Sequence, residues 1–395
     1  MSEREVVILS GVRTPIGDFG GALKNIPPTD LAGSVIAEAV KRSELNPEDI
    51  EHCVIGSVLH SDRRDMYMSR VAALKGGLPI ETPALTVNRL CGSGLQAIVS
   101  AAQMILLGDC EAVVAGGAES MSRVPYWLPT ARFGAKMGNG ITEDPMIGAL
   151  TCPIGDTHMG ITAENLAGIY AITRQEQDAL AAESHNRAQR AIEENRFASQ
   201  ILPIELKTRK GTVTFDQDEH VRFDCTPDNM TNLRPIFKKD GTVTAGNASG
   251  INDAAAAIVL MKRSSAQAKG LKPMAKMLGY ATAAVDPSVM GIGPVPAVRK
   301  LLQKAGVNVD EIDIWEANEA FAAQALSVIK ELNLDPEKVN PNGSGISLGH
   351  PIGATGALIT VKALHELKRI SGRYAVVTLC IGGGQGIAAL FENYP

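Results

Sequence analysis

The sequence predicts an α/β protein made of two repeated halves with an insertion between them. Three observations lead there. Stretches rich in β-formers alternate with helical ones at both ends of the chain, the pattern of βαβ units and of a mostly parallel sheet covered on both faces. Only 4% of the residues are aromatic, whereas small and branched aliphatic residues abound, which suits tightly packed α/β layers better than a β-sandwich. The two ends also rhyme. Cys91-Gly92-Ser93-Gly94 is followed after about twenty residues by Ala112-Val113-Val114-Ala115-Gly116-Gly117, and Gly353-Ala354-Thr355-Gly356 by Ala375-Val376-Val377 and a glycine run. A repeat of this size marks a duplicated domain.

Taken in order, Val6-Val7-Ile8-Leu9 reads as a strand. Residues 30–42 form a helix with Leu31, Val35, Ile36 and Val40 as its apolar positions. Cys53-Val54-Ile55-Gly56 is the next strand, ahead of a polar loop, Ser61-Asp62-Arg63-Arg64-Asp65. Residues 83–87 predict a short strand, and 95–107 a buried helix stopping at Gly108. Cys91 therefore falls on a strand-to-helix turn, where free N–H groups and the helix dipole are expected to lower the thiol pKa. Gly92 and Gly94 are expected to leave room for an acyl chain beside the backbone. The strand Ala112-Val113-Val114-Ala115, closed by Gly116-Gly117, ends the first unit.

Periodicity breaks up over 119–249. One clear helix there, over 173–195, opens with a Thr173…Glu176 capping box and presents Leu180, Ser184, Ala188 and Ile192 along one face. A long insertion over an α/β core suits substrate binding better than core building. Core character returns at 254–260, and a second unit runs from about Pro273. It comprises a strand over 312–316, a helix around 321–332, a helix over 357–367 and a strand over 375–379.

The 395 residues, 45% of them hydrophobic, hold ample core for two or three units. A net charge of −5 and a pI near 5.9 argue against nucleic acid as a partner. Lys207-Thr208-Arg209-Lys210 reads as a solvated turn, with a phosphate contact as the alternative. Cysteines at 53, 91, 110, 152, 225 and 380 form no CxxC pair and no zinc spacing with histidine, so free thiols and a reducing compartment are expected, with no metal. The N-terminus carries no signal or transit peptide, and Glu392-Asn393-Tyr394-Pro395 is no peroxisomal address. No apolar run is read as long enough to cross a membrane. A cytoplasmic protein is the expectation.

Four groups carry chemistry. Cys91 supplies a nucleophile, and His350, in Gly349-His350-Pro351, a base. Cys380, ahead of Gly382-Gly383-Gly384, supplies a second thiol, and Asn318, in Asn318-Glu319-Ala320-Phe321, an amide. Each sits at a strand end or a turn into a helix, where open α/β sheets place ligands. Singly, the cysteines fit plain core, and Asn318 a helix N-cap.

The ordered set N-R-L-C-G-S-G (88–94), T-A-G-N-A-S-G (244–250), N-E-A-F-A (318–322), G-H-P-I-G (349–353) and C-I-G-G-G-Q-G (380–386) resembles the thiolases. S-G-V-R-T-P-I-G-D-F-G-G near the start and M-G-I-T-A-E-N (159–165) agree, so the resemblance spans the chain. N-P-N-G-S-G-I-S-L-G-H-P departs from the commoner G-G-A-I-A-L-G-H-P and looks like the broad-range bacterial β-ketothiolases of polyhydroxyalkanoate synthesis. The resemblance implies an αβαβα layered core of two duplicated α/β domains, 1–118 with 250–272 and 273–395, and a loop domain over 119–249. It implies an acyltransferase working by ping-pong acyl transfer on acetyl-CoA, other acyl-CoAs and free CoA, with no cofactor. It makes Cys91 the acyl acceptor, His350 its base and Cys380 the second acid/base. One oxyanion falls to His350 with a water held by Asn318, the other to the N–H groups of Cys91 and Gly382. Coenzyme A would be lined by His158, Met159, Arg222, Leu233, Phe237, Ala245, Ser249, Met290 and Phe321. A homotetramer, as a dimer of dimers, is implied as well.

Alternatives are weaker. Gly345-Ile346-Ser347-Leu348-Gly349 matches G-x-S-x-G, but prolines bracket it where a hydrolase elbow needs a strand and a helix. The glycines at 382–386 lie too near the chain end for a dinucleotide fold. A ketoacyl synthase needs no second catalytic thiol, and a non-catalytic acyl-CoA binder needs none of the three groups. A degradative thiolase for longer 3-ketoacyl-CoAs is the nearest competitor.

Overall fold

The computed structural model describes residues 5–134, 136–209 and 211–394. Met1–Arg4, Lys210 of the basic cluster and Pro395 lie outside them. The main sheet has ten strands: β1 (Val6–Arg13), β2 (Gly17–Asp18), β3 (His52–Gly56), β4 (Ala84–Val87), β5 (Ala112–Ser120), β6 (Asn252–Lys262), β7 (Ala275–Ala284), β8 (Ile314–Ala317), β9 (Tyr374–Ile381) and β10 (Gln385–Asn393). Its order is β8-β9-β10-β7-β1-β6-β5-β3-β4, with β2 beside β6. The main helices are α1 (Pro28–Arg42), α2 (Met68–Lys75), α3 (Ser93–Leu107), α4 (Met159–Ile169), α5 (Arg174–Glu193), α6 (Pro294–Ala305), α7 (Ala322–Leu332) and α8 (Thr355–Arg369).

The expectation of a mostly parallel sheet is corrected. Among the described strands of the main sheet only β3–β4, β3–β5 and β8–β9 pair in parallel, while the central strands β5, β6, β1, β7, β10 and β9 run antiparallel in succession. Parallel pairing needs a long crossover, which α2, α3 and α8 supply. β9 and β10 are instead joined by the tight turn at 382–384, which fixes them antiparallel. The glycines at 382–386 thus belong to a hairpin. β5 likewise continues through Gly116-Gly117 to Ser120 rather than closing there.

Alternation along the strands builds the layers. Val113 and Ala115 of β5, with Ala375, Val377 and Leu379 of β9, enter a central core containing α3 and α8. Ala112 and Val114 face an outer core with α1 and α2, whereas Val376 faces one with α6 and α7. The stack is helix, sheet, helix, sheet, helix, as the resemblance implied.

The central layer depends on glycine. A Cβ on Gly94 would lie 2.6 Å from the backbone nitrogen of Ala357, and one on Gly356 2.3 Å from that of Leu95. These residues bring the starts of α3 and α8 into backbone contact. The expected acyl space beside Gly92 and Gly94 is therefore not there; Gly94 admits α8, and a Cβ on Gly92 would strike Ile381 Cδ1 at 2.7 Å.

The 18-residue window Leu90–Leu107 is apolar enough to cross a membrane, with mean hydropathy 1.6, which corrects the reading that no such run exists. The helix itself covers 15 residues, about 22 Å at 1.5 Å per residue against a hydrocarbon core of about 30 Å. Its apolarity is explained by burial in the central core, against α8 and the main sheet.

Candidate active site

Cys91 stands between β4 and α3. Leu90 holds a left-handed φ of +47°, uncommon for a leucine. That bend is fixed locally: the Leu90 N–H donates to Asn88 Oδ1 (2.9 Å), and the Leu90 carbonyl accepts from Ser93 Oγ (2.6 Å). Strain held beside a reactive side chain is a common mark of a functional turn. Burial pushes the Cys91 thiol up to about 11, against the backbone N–H groups of Gly382 and Cys91 itself; the charge of Glu119 raises it further. The expected lowering by the helix end is corrected, because desolvation of a thiolate outweighs what these N–H groups return.

His350 is buried ahead of α8, and burial pushes its pKa down to about 4. Its Nδ1 lies 2.7 Å from Thr355 Oγ1, and that hydroxyl donates to the Pro351 carbonyl at 2.9 Å. With the hydroxyl proton so engaged, the network assigns the imidazole proton to Nδ1 and leaves Nε2 unprotonated. The backbone N–H of His350 donates to Asn252 Oδ1 (2.9 Å), which fixes the turn. Asn318 follows β8; its amide nitrogen lies 3.4 Å from His350 Nε2, and its Oδ1 is buried without a hydrogen-bond partner. Asn318 is not an N-cap; Phe321 takes that place on α7.

Cys380, near the end of β9, is also buried. Burial raises its pKa, and charge on Cys91 raises it further, which places the two sulfurs within electrostatic reach. Cys380 packs with Met159, Met290 and Phe321, whereas Cys91 packs on Leu59, Met121 and Ile352. A cavity of about 500 Å³ is lined by His350, His158, Phe237, Ala245, Ser249 and Phe321 among others; Phe321 of the first group and Met121 and Ile352 of the second reach it, while Cys91, Cys380, Met159 and Met290 lie behind its wall. Its wall is an aromatic chain: His158 stacks on Phe237 (centroids 4.7 Å apart), which meets Phe321 edge-on at 6.0 Å.

The remaining expected residues divide. Gly382 turns its N–H to Cys91. Arg222 is exposed beside the cavity-lining Asp18, whose pKa its charge lowers after the larger effect of His220. Leu233 is not among the cavity's lining residues; a Cβ on Gly246 would meet it at 2.6 Å, so it packs beneath the 244–250 loop. The structure also brings in residues that sequence reasoning passed over: Thr355 and Asn252, which bond His350, and the Asp18–His220 pair (2.5 Å) at the cavity edge. Thr355 stands five positions beyond His350 at the start of a helix, a spacing that would have signalled it.

Residues 6–264 match the thiolase N-terminal domain and 271–393 the thiolase C-terminal domain. The chain belongs to the thiolase family. It is 62% identical to a β-ketothiolase of Cupriavidus necator over 391 residues, 99% of each chain. Among solved structures it resembles an acetyl-CoA acetyltransferase of Bacillus anthracis, with TM-score 0.96 and 50% identity over 99% of both chains. It also resembles human mitochondrial 3-ketoacyl-CoA thiolase in complex with CoA, with TM-score 0.97 and 43% identity over 100% of this chain and 99% of that one. In this thiolase Ser347 of the G-x-S-x-G match is buried in a short helix, Gly345–Leu348, and bonds Ser184 Oγ at 2.9 Å, with none of the exposure an elbow serine needs.

Proposed function

We propose that this thiolase condenses acetyl-CoA with acetyl-CoA or a short acyl-CoA and runs the reverse thiolysis, by ping-pong acyl transfer through Cys91. The observation that carries the reading is a pair of protonated thiols, Cys91 and Cys380, within electrostatic reach of each other behind a cavity wall that holds the neutral imidazole of His350. His350 Nε2 takes the Cys91 proton as the sulfur attacks the thioester carbonyl. Cys380, a thiol at rest, gives its proton to the departing CoA sulfur. As a thiolate it then takes the α-proton of the second acetyl-CoA. The resulting enolate attacks acetyl-Cys91, and the released Cys91 sulfur recovers its proton from His350. Protons and charge balance over the cycle.

The N–H groups of Cys91 and Gly382 hold the first oxyanion. Imidazolium Nε2–H and a water on Asn318 Oδ1 hold the enolate oxygen. Donors fixed in advance contribute about 3–4 kcal/mol each. His158, Met159, Phe237, Ala245, Ser249, Met290 and Phe321 line the pantetheine arm, with Arg222 and Leu233 further out in the loop domain (119–249). The cycle calls on no metal or redox group, so activity is expected to survive a chelator unchanged. A cytoplasmic dimer of dimers completes the proposal; exposed Tyr126, Trp127, Phe133 and Met137 support the assembly. The deciding assay compares thiolysis of acetoacetyl-CoA, 3-ketovaleryl-CoA and longer 3-ketoacyl-CoAs. Four- and five-carbon substrates are expected to lead, and rates that climb with chain length would replace this reading with the degradative one.

A further inference from the structure

Glu119 near the end of β5 is wholly buried, yet nothing in the cycle above uses it. Its Oε2 accepts the backbone N–H groups of Gly353 (2.9 Å) and Val58 (3.2 Å), and its Oε1 that of Leu59 (3.1 Å). One carboxylate thus ties the turn that carries His350 to the loop after β3. Leu59 of that loop and Ile352 of that turn form the apolar cluster on which Cys91 packs. The glycine at 353 is part of the fit, since a Cβ there would meet Glu119 Oε2 at 2.5 Å. A buried carboxylate is costly unless it is fully hydrogen-bonded, and an apolar residue would fill the same space without that cost.

We propose that Glu119 is a positioning residue for acyl transfer: by bonding both segments at once it sets the distance between the Cys91 and His350 turns. The inference rests on the acyl-transfer reading of Cys91. The titratable groups that face Cys91 are Glu119 and Cys380, and those that face Glu119 are Asp65 and Cys91. Burial pushes the Glu119 carboxyl up to about 8 against its three N–H donors, so it carries its charge over the alkaline range in which Cys91 titrates and acts near neutral pH through its hydrogen bonds.

The test uses the full-length enzyme, with steady-state thiolysis of acetoacetyl-CoA and iodoacetamide alkylation of the Cys91 peptide followed by mass spectrometry across pH. E119Q keeps the reach and removes the charge. Its alkylation profile is expected to move to lower pH, on the order of one unit. Its kcat is expected to fall about tenfold with KM nearly unchanged. E119D keeps the charge and shortens the reach, so kcat falls while the alkylation profile stays with the wild type. An E119Q or E119D enzyme with wild-type kcat would overturn the proposal, and so would an E119Q alkylation profile that overlays the wild type, since Glu119 would then not sit against the Cys91 turn. Wild-type protein that fails to thiolyse acetoacetyl-CoA would instead remove the functional reading, and alkylation still reports on Glu119 without turnover.

Discussion

The proposed nucleophile and its proposed base stand ahead of matching central helices, Cys91 before α3 and His350 before α8, but the two turns hold them differently. Cys91 is only partly buried, takes hydrogen bonds from main-chain N–H groups alone, and otherwise touches apolar side chains. His350 is fully enclosed and held at three points, by Asn252 on its backbone, Thr355 on its ring and Asn318 near Nε2. The difference suits the roles proposed for the two groups. A sulfur that exchanges covalent partners must stay free of fixed side-chain bonds, while a base that only stores a proton gains from a locked tautomer.

Replacing the free group should have the largest effect. Cys91→Ala is expected to lower thiolysis by at least about a thousandfold, and to leave no acyl-enzyme after incubation with radiolabelled acetyl-CoA; label retained by the variant would break the assignment. Cys380→Ser comes next and separates the two half-reactions. Condensation should fall by about a hundredfold or more, while acetyl exchange between CoA pools falls less, and equal losses would remove the α-proton role. Thr355→Val keeps the shape and deletes the ring's partner. A net hydrogen bond of about 1 kcal/mol implies a kcat loss of about fivefold to tenfold, with KM little changed.

The smallest effect concerns a histidine outside the site. Burial pushes His365 down to about 4; it bonds the Gly11 carbonyl (3.1 Å) and Ser199 Oγ (2.9 Å). Because the unfolded chain takes this proton first, its contribution is present above about 6.5 and is lost as the pH falls towards 4. His365→Asn should therefore flatten the drop in melting temperature between those limits. A parallel drop in both proteins would show that His365 does not act as a buried neutral group.

Much was legible because it is local. The α5 capping box was readable, with Thr173 Oγ1 accepting from the Glu176 N–H and Glu176 accepting from the Thr173 N–H. So was the end of α3 at Gly108, which takes a φ of +89°. α4 went unread, since Gly160 and Gly168 weaken its propensity and much of its length is buried, which blurs the apolar stripe. The buried face of α5 also runs through Ala181, Ser184, His185 and Ala188 rather than through Leu180. Strand direction was misread because local sequence marks a strand without naming its neighbour.

From the sequence alone came the layered fold, the family and the candidates Cys91, His350, Cys380 and Asn318, because turn chemistry, period and motif spacing are written in neighbouring residues. Only the folded chain decided the protonation of those groups, the pairing of Thr355 with His350 and the seat of Glu119. Desolvation and hydrogen bonding depend on residues brought together from distant segments, such as Glu119 and Gly353.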